Sequence, residues 1–262
     1  MAFRRLPPCT LLAGALLLSV LAVGSLAATG PGDIAVLWGR NKDEGTLREA
    51  CDTGTYNTVI LSFLTAFGHG TYTLDLSGHP LAGIGDDIKH CQSKGILVLL
   101  SIGGPSASAA ANYSLPSPQS AADLADYLWH AFSPAATPAY PAPSATRRGV
   151  TLTATVRCAF PDPDLAAALA TGLFSRIHVR LYGDLKCEWG QFDSWNKWAA
   201  AFPASRVFVG VVAAPEADQD AYLFQKDLYY GILQFAEEVP NYGGLMIWDR
   251  YYDKMNHYIS SS

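Results

Sequence analysis

The chain has 262 residues, half of them hydrophobic, 11% aromatic and only 16% charged, with a formal net charge of −5. A chain this apolar and this rich in aromatics is not a disordered protein. Its acidic surplus argues against nucleic acids and anionic membrane surfaces as partners.

Reading begins with a leader. Arg4 and Arg5 form a basic start, 11–23 is a run of small and aliphatic residues, and Ser25-Leu26-Ala27 is a small-x-small cleavage pattern. Residues 1–28 therefore read as a secretory signal peptide. The apolar run is shorter than the about 20 residues of a comfortable bilayer span. Removing it leaves about 235 residues with a charge of about −7, expected as one extracellular domain over 29–262. Cys9 leaves with the leader, and an even set remains: Cys51, Cys91, Cys158 and Cys187. In a secreted chain an even count implies disulfides. Neighbour pairing, Cys51 with Cys91 and Cys158 with Cys187, would close two loops of moderate length. No pair has the close spacing of a zinc site, so no metal is expected. Asn112-Tyr113-Ser114 is a glycosylation sequon.

Along the rest of the chain strands and helices alternate. Apolar runs predict strands over 34–38, 58–63, 96–102, 151–156, 177–182, 207–212 and 244–248. Helices are predicted from 47 to 51 behind a Thr46 cap, from 84 to 93 with Gly95 as the stop, and from 120 to 132, where Leu124, Tyr127, Leu128 and Phe132 share a face. Further helices follow over 164–170, 194–202, 227–237 and 253–258. A glycine-rich excursion covers 68–85. Repeated βα units of roughly 30 residues imply a parallel sheet with helices outside, and about 250 residues is the usual size of a TIM-type (β/α)8 barrel. Seven strands are visible rather than eight. The period keeps its character throughout, so two separate domains are the weaker reading.

The break falls at 133–149. Pro134, Pro138, Pro141 and Pro143 stand among alanines, and Arg147 and Arg148 follow. Four prolines within ten residues cannot supply the hydrogen-bond donors of a central strand.

Three segments carry a resemblance: Ile34-Ala35-Val36-Leu37-Trp38-Gly39-Arg40-Asn41, Leu99-Leu100-Ser101-Ile102-Gly103-Gly104 and Gly243-Gly244-Leu245-Met246-Ile247-Trp248-Asp249-Arg250-Tyr251. They are similar to strands 1, 3 and 8 of plant class III chitinases of glycoside hydrolase family 18. Asp75-Leu76-Ser77-Gly78-His79, Asp87-Ile88-Lys89-His90-Cys91-Gln92-Ser93-Lys94-Gly95 and Leu152-Thr153-Ala154-Thr155-Val156-Arg157-Cys158 resemble one branch of that family, the cereal xylanase inhibitor proteins. The resemblance spans nearly the whole mature chain and implies a TIM barrel.

In the hydrolases of this family, the fourth strand carries Asp-Gly-x-Asp-x-Asp-x-Glu. Its glutamate protonates the leaving oxygen, and its aspartate steadies the substrate's acetamido group. No stretch of this sequence matches that motif, and the tract occupies its place. The barrel is thus expected to lack strand 4 and most of the following helix, and to be catalytically silent with no catalytic residue and no cofactor. Asp184, Glu188 and Asp249 follow strands whose C-terminal ends are where barrel catalysis sits, but ion pairing or capping accounts for them as well. Chitinases carry Gln-Phe-Tyr-Asn at strand 6, where this chain has Arg180-Leu181-Tyr182-Gly183; only the tyrosine is kept.

Tyr182 and Trp248 are the candidate carbohydrate-binding residues, Trp248 by analogy with the family's sugar-flooring tryptophan; packing is the alternative role for Trp248. Trp38, Trp189, Trp195 and Trp198 read as packing residues. Arg147 and Arg148 match, by position alone, the loop from which xylanase inhibitors offer an arginine to an acidic cleft; two solvated arginines are the plainer reading. A second inhibitory surface, the helix before strand 8, ends here in Ala236-Glu237-Glu238-Val239-Pro240, its sign reversed from the lysines of the inhibitors. The resemblance implies a monomeric, apoplastic, non-catalytic defence protein that inhibits microbial endo-xylanases. Its rivals are a chitin-binding lectin and a defective, truncated chitinase homologue.

Overall fold

The computed structural model describes residues 32–67, 71–104, 117–132, 150–184 and 192–260, apart from the side chains of Trp129 and Phe132. Seven parallel strands carry the architecture: β1 (Asp33–Trp38), β2 (Thr58–Ala66), β4 (Leu97–Ile102), β5 (Thr153–Arg157), β6 (Arg176–Arg180), β7 (Arg206–Val212) and β8 (Tyr242–Trp248). A two-residue strand, β3 (Thr73–Leu74), turns back antiparallel onto the end of β2. Hydrogen-bonded neighbours run β4–β2–β1–β8–β7–β6–β5. The sheet curls as a barrel does, and among the described residues nothing bridges β4 to β5. The expected leader at 1–28, the tract at 133–149 and the sequon Asn112 lie outside the described residues.

Strand side chains alternate between two apolar layers, as a pleat of period two requires. Ala35, Leu37, Ile60, Val212 and Met246 form an inner cluster. Their neighbours Val36, Trp38, Val59, Leu61, Val211, Leu245 and Ile247 join an outer one with the helices. The helices are α1 (Leu47–Asp52), α2 (Ile84–Ser93), α3 (Pro118–Phe132), α4 (Ala166–Leu169), α5 (Phe192–Ala201), α6 (Gln225–Leu228), α7 (Gln234–Ala236) and α8 (Arg250–Asn256). Trp38, Trp195 and Trp198 are buried packing residues, as expected; Trp189 lies outside the described residues.

Thr46 caps α1 as its sequence position indicates: its hydroxyl accepts the Glu49 amide at 3.1 Å and the Glu49 carboxylate accepts the Thr46 amide at 3.1 Å. Cys51 and Cys91 are joined, Cα–Cα 5.4 Å, clamping α1 to α2. Cys158 is also disulfide-bonded; its expected partner, Cys187, lies outside the described residues. At the β1–β8 seam, Gly244 has φ +129°, and a Cβ there would stand 1.9 Å from the Asp33 carbonyl oxygen, so only glycine fits.

Three expectations need correction. The helix predicted over 227–237 is broken by a π-helical turn at Tyr229–Leu233. The final helix starts at Arg250, not at 253, because Asp249 caps it: its Oδ1 accepts the Tyr252 amide at 3.2 Å. β6 stops at Arg180, which leaves Tyr182 just beyond the strand.

Candidate functional site

The C-terminal ends of the strands surround a cavity of about 490 Å³. Three aromatic rings meet there, from β2, from the end of β8 and from the turn just after β6. Trp248, half-buried at the end of β8, has the Phe63 ring of β2 at 6.1 Å and 24° on one side. On the other it has the Tyr182 ring at 6.0 Å and 45°. The two residues named from the sequence are thus brought together, joined by Phe63, which sequence reasoning missed. Its one signal was its place at the end of a predicted strand.

The polar groups of the cavity are few. Odd and even positions of β6 face opposite ways, with Ile177 and Val179 in the outer cluster, so Arg180 faces the barrel interior. Its guanidinium carbon lies 5.9 Å from the Tyr182 ring centre, and its Nε is buried without a hydrogen-bond partner among the described residues. Asp218 lines the rim, its carboxylate accepting the Gly183 amide at 2.8 Å and the Ala221 amide at 3.3 Å. Burial, opposed by the Arg180 guanidinium and seconded by the Asp249 carboxylate, pushes the Tyr182 phenol up, so it stays neutral.

Two acidic groups stand close behind this surface. Asp249, 3% exposed, is pushed up to about 6, chiefly by burial and further by Glu44; the Tyr252 amide opposes the shift. Glu44, fully buried, accepts the Gly39 and Asn41 amides at 2.9 Å each and faces His79 Nε2 at 3.1 Å. Burial raises it and these contacts oppose the rise. These bonds fix the loop after β1, with His79 against the Trp38 ring at 4.3 Å. Asp249 is a helix cap and Glu44 a loop anchor. Asp184 follows Gly183 at the rim, and Glu188, Arg147 and Arg148 lie outside the described residues. Among the described residues no three His, Cys, Asp or Glu side chains converge as for a metal ion, and no helix is long and apolar enough to cross a membrane.

With its described lining residues the cavity can therefore stack a planar or sugar-like ring on aromatics and offer it the Arg180 cation and the already engaged Asp218 carboxylate. Asp218 is the one carboxylate among the described residues that line the cavity. Xylanase inhibitor protein 2 of Oryza sativa subsp. japonica is 52% identical to this chain over 266 aligned positions, covering 88% of this chain and 90% of the rice protein. This chain belongs to the xylanase inhibitor protein family. The alignment is longer than the whole 262-residue chain although it uses only part of it, so the relative has residues with no counterpart here. Among solved structures, the xylanase and alpha-amylase inhibitor protein XAIP-II of Scadoxus multiflorus superposes with a TM-score of 0.79 at 32% identity, covering 87% of this chain and 97% of that one. A tamarind chitinase-like lectin superposes at 0.71 and 26% identity, over 87% and 96%. No protein-family model matches the chain.

Proposed function

We propose that this protein is a secreted, non-catalytic, chitinase-like inhibitor of microbial endo-xylanases that acts as a monomer in the apoplast. The observation that carries this reading is the 52% identity, over nearly the full length of both chains, to a rice protein named for xylanase inhibition. The site chemistry supports the silent part of it. Glycoside cleavage in this family needs a carboxylic acid held neutral beside a charged one. The sequence has no stretch bearing that set, and the carboxylates nearest the aromatic floor are engaged as cap, anchor or rim. The contact to the target is assigned to Arg147 and Arg148, whose guanidinium groups suit a bidentate pair with an acidic cleft. The test is titration of the purified protein against fungal endo-xylanases of the two major classes. A saturable fall in xylan hydrolysis is expected for at least one class, weakened in Arg147→Ala and Arg148→Ala. Unchanged hydrolysis at micromolar excess in both classes overturns the reading. Chito-oligosaccharides are expected to remain uncleaved.

A second reading rests on a separate observation. The Phe63, Trp248 and Tyr182 rings line one open cavity, which suits stacking against a sugar face. Retention of the protein on chitin would favour a lectin, and its absence would count against one.

A further inference from the structure

The gap in the sheet has the form of a missing strand. β4 pairs with β2 alone and β5 with β6 alone among the described residues, so within that set each has one edge whose amide and carbonyl groups meet no neighbouring strand. The two edges face each other across one slot of about 260 Å³, with Leu99, Leu100 and Ser101 on one wall and Leu152, Thr153 and Thr155 on the other. The slot reaches both apolar layers. Ile60 and Leu99 belong to the inner cluster, and Leu100, Leu165 and Phe174 pack on the outer one. No charged side chain lines it among the described residues. The wall strand shows the deficit directly: every residue of Leu97–Ser101 is apolar or serine yet only half-buried, and Ile102 is 44% exposed.

We propose that this slot receives an extended, uncharged peptide segment of another protein, which completes the sheet by pairing with β4 and β5 together. The chemistry selects that occupant. An alkyl chain would leave the ladder groups of two strands unpaired, each a costly buried vacancy, and a sugar's hydroxyls, which can donate and accept, do not repeat at the spacing of two parallel ladders. A folded second copy cannot enter, because any edge strand it offers is already flanked on one side by its own sheet, and this slot needs a strand free on both. The chain's own tract carries Pro134, Pro138, Pro141 and Pro143 and cannot supply a continuous ladder. What fits is a free segment of about five residues, some 16 Å long, apolar on both faces as a buried parallel strand is. This is strand addition to a sheet edge, here with two edges. The upper end of the slot opens on the aromatic cavity, since Ser101, Ile102 and Thr155 line both.

The probe is an N-acetylated peptide of seven alternating valine, threonine and isoleucine residues, with fluorescein on a C-terminal lysine, followed by anisotropy against the intact protein. Saturable one-to-one binding is expected, with a raised Tm at saturating peptide. The same peptide N-methylated at alternate residues keeps its side chains but loses the donors that face one of the two edges, and binds at least roughly tenfold more weakly if ladder pairing holds it. Thr155→Lys and Ile102→Lys place a charge at exposed positions of the slot and are expected to weaken binding similarly. Should either variant fail to fold, the methylated peptide tests the unaltered protein. Absence of saturable binding to about 1 mM, a Kd worth no more than about 4 kcal/mol, overturns the proposal. Equal affinity of the methylated peptide overturns it too, as does a dimer in sedimentation that the peptide leaves intact.

Discussion

Asp249→Asn gives a direct reading of what burial does to this scaffold. The carboxyl is 3% exposed, and burial holds it at about 6 against an ordinary value of 3.8. The folded state therefore binds a proton that the unfolded state has released between about pH 4 and pH 6. Stability from this group falls as pH rises through that window and stays low above it. A shift of about two units corresponds to about 3 kcal/mol at neutral pH. Asparagine is neutral at every pH and caps a helix as well as aspartate does, so the Tyr252 amide keeps its acceptor. The variant is expected to be about 3 kcal/mol more stable than the parent at pH 7.5 and nearly equal to it at pH 4. Urea denaturation at both pH values measures this. A loss at pH 7.5 would show that the cap needs the charge, and a gain of the same size at both pH values would show that protonation of Asp249 is not its source; either result refutes the burial argument.

Other outcomes follow from the packing. Replacing both Cys51 and Cys91 by serine removes a link across 40 residues, for which the chain-entropy relation gives about 4 kcal/mol. A fall in Tm of roughly 8–16 °C is expected, and a fall of under about 2 °C would place the stability of this pair of helices elsewhere. Gly244→Ala drives a methyl group into the Asp33 backbone at positive φ, at a cost of roughly 3 kcal/mol or more, so the yield of soluble protein should collapse; normal yield and Tm would contradict the tight β1–β8 seam. Trp248→Ala should abolish any retention on chitin while leaving xylanase inhibition unchanged, since the proposed arginine contact does not use that ring; loss of both activities would unite the two surfaces.

The strands and the outer helices were readable because burial on both faces writes itself as unbroken apolar runs. Ile84–Ser93 was bounded correctly, with Gly95 as its stop at φ +78°. Local signals also located Thr46 as a cap and paired Cys51 with Cys91. The misses share a cause: they depend on groups far apart in sequence. For Asp249 the sequence left ion pairing and capping both open, and the turn that follows it decides for capping. Glu44 gives no hint of full burial until Gly39, Asn41 and His79 gather round its carboxylate. Arg180 stood out only as a departure from the family pattern, since which way it faces is set by strand pairing. Asp218 and Phe63 reach the cavity through the curl of the sheet, and β3 is too short to leave a periodic pattern. His178, fully buried against the Phe208 ring at 4.8 Å, is likewise set by the barrel interior and is pushed down to about 3, mainly by burial and then by Arg176.

Among the described residues, the order of the strands puts β8 midway round the curl, three strands from either margin. A cylinder with a slit behaves like a split collar: its lips can spread by small rotations shared among the seams, with the far side acting as the spine. Trp248 rides on that spine, whereas Phe63 and Tyr182 ride on opposite arms. Any spreading of the lips therefore changes the span between Phe63 and Tyr182 more than the distance of either from Trp248, so the width of the slit and the fit of the aromatic floor are one mechanical variable.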